Sequence, residues 1–177
     1  MKNFSRINNI IGWIIFLLAS MVYIITSEPT ASFWDCDEYI ATAYKLQVGH
    51  PPGAPLFQML GRFFTLFAFG DTTLVARMVN TMSALSSSFT ILFLYWSIVM
   101  LGRKIYEKGQ ELSRGQNFAI FGAGIIGSLA YTFSDSFWFS AVEGEVYAMS
   151  SFFTAVVFWA ILKWERVADE RHSDRWL

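Results

Sequence analysis

The chain has one cysteine, two histidines and four prolines in 177 residues, and only 15% of its residues are charged. The single thiol, Cys36, excludes an intrachain disulfide and any cage built from several thiolates. Thirteen Lys and Arg against fourteen Asp and Glu leave a net charge of −1. No basic patch interleaved with aromatics exists to neutralise a phosphodiester backbone, so nucleic acid is not an expected partner. So few charges also exclude an ordinary soluble surface. Internal repeats, low-complexity tracts and linkers are absent, and residues 1–177 read as a single membrane domain.

Apolar sequence fills the space: 54% of residues are hydrophobic and 18% aromatic. Four uncharged windows stand out, Ile7 to Ser27, Met78 to Gly102, Gly115 to Ser134 and Val146 to Leu162. Each approaches the roughly 20 residues a helix needs to cross a hydrocarbon core. The first is longer than the roughly 7–15 residues of a signal-peptide core and lacks a clean small-x-small cleavage site, so it reads as a retained anchor. The expectation is an all-α polytopic membrane protein of about four spans.

The stretch 52–70 is apolar enough to tempt a fifth span, yet it carries prolines and Arg62. Basic residues favour the cytoplasmic side of a membrane. With four spans and the N-terminus inside, ten of the thirteen basic residues face the cytoplasm; Lys45, Arg62 and Arg77 stay outside with eight acids. A fifth span would push Arg103, Lys104, Lys108 and Arg114 out. The stretch 52–70 is therefore expected to be a helix on the outer membrane face. The outer loop before span two is patterned: Ile40, Ala43, Tyr44 and Gln47 to Val48 recur at helical spacing, as do Leu56, Leu60, Phe63, Phe64 and Phe67. A tight outer turn is expected over Asp135 to Gly144. The end, ADERHSDRWL, resembles the approach to another span and suggests a longer protein.

Carboxylates are costly near hydrocarbon, so their clustering in the outer loop marks a place for chemistry. Asp35 and Glu38 match a capping box for a helix through Leu46, a purely structural reading. The same carboxylates, with Asp37, could accept a proton from a hydroxyl or position a cation. His50-Pro51-Pro52-Gly53-Ala54-Pro55 reads as a stiff corner entering a helix. His50 is a packing residue there or a substrate contact. Arg62 and Arg77 either snorkel and pair with Asp71 and the acidic loop or grip a phosphate at a lipid head. Asn80, one turn beyond Arg77, could face a cavity. Glu143 and Glu145 line a pocket, or Glu145 caps span four. Trp34, Trp138 and Tyr147 are expected at the membrane interface. Gly122, Gly124 and Gly127 permit close helix packing.

Together, Asp35-x-x-Glu38, HPPGAPLF at 50–57, Arg77-Met78-Val79-Asn80 and SFWFSAVEGEVYAMS with Glu145 resemble GT-C-type membrane glycosyltransferases. More narrowly, they resemble the protein O-mannosyltransferase family once catalogued as a domain of unknown function, with bacterial and animal members. Asp37 departs from it, standing where the family usually has a small residue, so the choice of base stays open. The chain is also shorter than such enzymes. The resemblance implies a polyprenyl-phosphate sugar donor, mannose as the sugar, and Ser or Thr of exported proteins as acceptor. It further implies membrane lipids as surroundings and, for a bacterial protein, an inner-membrane enzyme with a periplasmic site. Asp35 is the first choice of base and Glu38 the second, with Asp37 a helper; His50, Arg62 and Arg77 stand around the phosphate. No metal is required, although the clustered acids could weakly hold a divalent cation. The rival reading is a transporter or a lipid-binding or assembly subunit, whose acids would bind a cation or a partner. Transporters usually place such groups at mid-membrane.

Overall fold

The computed structural model describes residues 2–51, 53–106 and 112–169. Pro52, Lys108, Arg171, Arg175 and most of the final charged stretch lie outside the described residues. Every regular element among those described is helical. The chain runs as α1 (Lys2–Thr26), α2 (Cys36–Lys45), α3 (Pro55–Thr65), α4 (Val75–Tyr106), α5 (Arg114–Thr132), α6 (Asp135–Ala141) and α7 (Val146–Glu165). Two single 3-10 turns, Leu66–Ala68 and Thr72–Leu74, join α3 to α4.

Three helices, α1, α4 with its entering turn, and α7, are long and apolar enough to cross a membrane. The third expected window, α5, meets the same test only together with α6, from which it bends by 67°. The count is thus three, or four if that bent pair is one span. The turn expected over 135–144 is largely the helix α6. At 11 residues α3 reaches only about 16 Å at 1.5 Å per residue, too short to span, and it packs on α2 and α4. That length agrees with denying the stretch 52–70 a span of its own.

The central element is α4, which touches α1, α5, α6 and α7 as well as the two loop helices. Its apolar and small polar residues run all round: Val79, Ser83, Ala84, Ser87, Ser88, Ile91 and Tyr95 are all buried. Ser88 returns its hydroxyl hydrogen to the preceding turn, to Ala84 O at 2.7 Å, whereas the buried Ser83 and Ser87 hydroxyls have no partner; the small size of all three lets neighbouring helices approach closely. Gly124 and Gly127 do the same from α5: a Cβ would fall 2.8 Å from Tyr95 and 2.9 Å from Ile98, whereas Gly122 faces open space. The Tyr23 hydroxyl donates to Thr132 O at 2.8 Å and ties the end of α1 to the end of α5.

Two apolar clusters result. One joins α1, α4, α5 and α6 through Tyr23, Ile91, Tyr95, Ile120 and Phe137. The other, through Cys36, Ile40, Phe57, Val79, Met82 and Met149, seats α2 and α3 on the first turns of α4 and α7. The opposite end of α4 carries Arg103 and Lys104, and Lys104 bonds Glu165 at the end of α7. The bundle therefore has an acidic end, where α2, α3 and α6 lie, and a basic end.

Candidate active site

A left-handed residue, Trp34 at φ 67°, turns the chain into α2, and Asp35 occupies the N-cap position. The expected capping box does not form: Asp35 makes no side-chain cap bond. Glu38 instead reaches away from its own helix. Its Oε1 accepts from the His50 backbone N–H at 2.6 Å, and its Oε2 lies 2.8 Å from His50 Nδ1. A backbone donor and an imidazole together satisfy both carboxylate oxygens better than the distant N-cap amide could. The close approach depends on Gly49, where a Cβ would stand 3.0 Å from Glu38 Oε1 and 3.2 Å from Gln58 Nε2. Gln58 donates in turn to Thr42 Oγ1 at 3.1 Å, which holds α3 to α2 beneath the clamp.

The other imidazole nitrogen, Nε2, faces Asp35 Oδ2 at 3.8 Å. His50 thus stands between two carboxylates one helical turn apart, as residues three apart on a helix share a face. The Glu38 hydrogen bond and charge, with Asp35 and Glu145 adding, push the His50 pKa up. The same bonds from His50 pull Glu38 down. Tyr39 rests beside them, its ring 6.1 Å from that of His50 and 5.5 Å from Phe57. Burial first, and then Glu145, Asp35, Tyr147 and Glu38, raise its phenol. The sequence reading passed over Tyr39; its position between Glu38 and Ile40, half on the buried face, was the available signal. Asp37 is exposed and stands outside this group.

The turn 142–145 closes the site from the other side. Glu28 N–H donates to Val142 O at 3.0 Å, and the Asn80 amide donates to Glu28 O at 2.7 Å and Thr30 O at 3.0 Å. Asn80 is fully buried and works as a tie between α4 and the end of the α1 loop. Gly144 fits against it, since a Cβ there would fall 2.9 Å from Asn80 Oδ1. Glu143 and Glu145 are only 5% and 6% exposed. Burial raises both carboxyls; a bond to Ser32 tempers Glu143, and the charges of Glu143 and Asp35 push Glu145 further up. Glu145 sits at the N-cap of α7 without a side-chain cap bond. Its charge is felt by both His50 and Tyr39, which joins it to the Asp35 group.

The two arginines differ. Arg62 donates to Tyr44 O at 2.8 Å and lies over the Tyr44 ring at 5.4 Å, so it satisfies the carbonyl end of α2. Asp71, its expected partner, is spent on Thr73 N and Oγ1 at 2.9 and 2.7 Å. Arg77 is exposed on the first turn of α4. Trp34 and Tyr147 are 86% and 63% exposed at the same end, whereas Trp138 packs on Tyr23 and Phe133. Among the described residues no three His, Cys, Asp or Glu side chains are grouped so that they could hold a metal ion.

An acid pair bridged by an imidazole, beside two buried carboxyls at one end of a membrane bundle, is equipped to take a proton from a hydroxyl and to meet an anion. Residues 35–177 match the family model described as protein O-mannosyl-transferase TMEM260 N-terminal domain. A curated relative from Dictyostelium discoideum, protein O-mannosyl-transferase tmem260, is 27% identical over 154 residues, covering 87% of this chain and 17% of that protein. Protein O-mannosyl-transferase TMEM260 of Mus musculus is 25% identical over 162 residues, covering 91% of this chain and 20% of that protein. The chain thus spans no more than a fifth of the length of these relatives. No solved structure matches it. With its matched region beginning at Asp35 and taking in the whole acidic site, the chain belongs to the protein O-mannosyl-transferase TMEM260 N-terminal domain family.

Proposed function

We propose that this chain forms the acceptor-activating part of a membrane glycosyltransferase that moves mannose from a polyprenyl-phosphate donor to Ser or Thr hydroxyls of exported proteins. The observation that carries the reading is the unequal use of two carboxylates: both Glu38 oxygens are engaged by His50, while the Asp35 side chain is 57% exposed and meets His50 only at 3.8 Å. Asp35 is therefore the base and Glu38 the residue that positions His50. The acceptor oxygen attacks the anomeric carbon as its proton passes to Asp35, and the bond from that carbon to the donor phosphate oxygen breaks with inversion. The departing phosphate carries the negative charge, which a cation held in place stabilises best. His50, whose charged form its two acids favour, and the exposed Arg77 take that role. Arg62 acts indirectly, by fixing the end of α2. A divalent cation is an optional partner of the donor phosphate. The acidic end faces the periplasm of a bacterial inner membrane, with the basic end in the cytoplasm, as the charge bias between the ends supports.

The test supplies full-length protein in membranes with a Ser/Thr peptide and mannose in either of two forms, linked to polyprenyl phosphate or to a nucleotide. Labelled peptide from the lipid-linked donor alone is expected. Transfer from the nucleotide sugar alone, or from neither, would overturn the proposal.

A further inference from the structure

Among the described residues, Trp34, Leu46 and Phe69 take a left-handed backbone without being glycine. Two of them end helical segments: Leu46 is the C-cap of α2, and Phe69 is that of the turn Leu66–Ala68. A left-handed residue commonly closes a helix, because it brings amides back to the last carbonyls. Trp34, at φ 67°, has no such reason, since it precedes the N-cap Asp35 and opens α2. For a bulky side chain that conformation is strained, and glycine or asparagine would hold it at less cost. The fold enforces it from both sides. Asn80 ties down Glu28 O and Thr30 O before it, and Cys36 is fully buried after it.

The fold gains no packing from the indole, which is 86% exposed. A ring that neither packs nor suits its backbone is held for a contact the fold itself does not supply. Its place selects the ligand, because the next residue is Asp35, whose carboxylate is 57% exposed. The oxygen whose proton passes to Asp35 is the one that attacks the anomeric carbon, so the donor sugar lies beside Asp35 as the reaction occurs. A pyranose offers a face of C–H groups, slightly positive, which matches the negative face of an indole. An extended acceptor peptide is gripped along a sheet edge or a lined groove, and one exposed indole is neither. We propose, resting on the mannosyl transfer put forward above, that Trp34 is a sugar-stacking residue: its indole lies against the mannose ring of the lipid-linked donor and holds the anomeric carbon near Asp35.

The experiment assays full-length protein in membranes with polyprenyl-phosphate mannose and a Ser/Thr peptide, comparing wild type with Trp34→Asn, Trp34→Tyr and Phe33→Asn. Trp34→Asn should raise the donor KM about five- to tenfold, the worth of one aromatic stack, with kcat and the peptide KM within about twofold of wild type. Trp34→Tyr, which keeps an aromatic face, should recover most of that loss. Sugar-free polyprenyl phosphate should inhibit wild type and Trp34→Asn alike. The melting temperature of solubilised Trp34→Asn should rise, because asparagine accepts a left-handed backbone more readily. Phe33→Asn, which removes the neighbouring ring, itself 85% exposed, should leave the donor KM unchanged. An unchanged donor KM in Trp34→Asn, with wild type active, would overturn the stacking role alone. Wild type that transfers nothing from the lipid-linked donor would overturn the transfer reaction and the stacking role with it. Weaker inhibition of Trp34→Asn by sugar-free polyprenyl phosphate would put the indole on the lipid, and a loss confined to the peptide KM would put it on the acceptor. An equal loss in Phe33→Asn would mean diffuse apolar contact, and a lower melting temperature in Trp34→Asn would make the ring a packing residue; each of these contradicts the proposal.

Discussion

Glu38 and His50 are twelve residues apart and meet twice, through the His50 backbone N–H and through Nδ1. The pair fixes the corner between α2 and α3 and favours the charged form of the imidazole that faces Asp35. Its pH dependence has a definite sign. His50 is raised, so its contribution to stability is full below the ordinary histidine value and is lost as pH rises through the raised one. Glu38 is lowered, so its contribution is full above the ordinary glutamate value and is lost as pH falls through the depressed one. Thermal melting of the solubilised protein should therefore show a plateau between the two, and Glu38→Gln should flatten both shoulders. Unchanged shoulders in that variant would disconnect the pair from stability.

Gly49→Ala tests the approach that makes the pair possible. The added Cβ crowds Glu38 Oε1 at 3.0 Å and Gln58 Nε2 at 3.2 Å, and a shift of either loosens the bonds it makes to His50 or Thr42. A loss of about 1–2 kcal/mol is expected from overpacking. Denaturation midpoints measure it, and wild-type stability would contradict the packing.

Much of this arrangement was legible in the sequence, and the parts that were not have identifiable causes. Charge bias and prolines were enough to deny the stretch 52–70 a span, and α3 is indeed too short for one. Helical spacing behind Asp35 located α2, because Ile40 and Ala43 must face α4 to be buried. The capping box failed because local spacing cannot reveal a better partner twelve residues away. Arg62 was read by its charge, yet the carbonyls at the end of α2 needed a donor that only the packing of α3 could bring. Asn80 was placed correctly at one turn below Arg77, but its role as a buried tie to Glu28 and Thr30 depends on contacts across 52 and 50 residues.

Asn80→Ala removes that tie and leaves two carbonyls without their donor. An unsatisfied buried acceptor costs about 1–3 kcal/mol, so the segment from Glu28 to Ser32 should loosen before the helices do. Cys36, fully buried and with its thiol pushed up chiefly by burial, reports the change. Maleimide labelling of Cys36, followed by mass spectrometry, should accelerate at least severalfold in Asn80→Ala. Labelling at the wild-type rate would mean that Asn80 does not hold the segment.

Glu143 and Glu145 favour their protonated forms in the folded chain because burial raises them. For raised carboxyls, stability is full below the ordinary value and falls as pH rises through the raised one. Glu145→Gln, which keeps the shape and removes the charge, should raise the melting temperature at neutral pH and have little effect in acid. A lower melting temperature at neutral pH would show that the ionised carboxylate is itself stabilising.

The most direct measurement is the rate of mannose transfer by full-length Asp35→Asn in membranes, with melting temperature and expression matched to wild type. A loss of at least about a hundredfold is expected, since removing a positioned general base typically costs roughly 10²–10⁴ in rate. A variant that transfers mannose within a few fold of wild type would contradict Asp35 as the base.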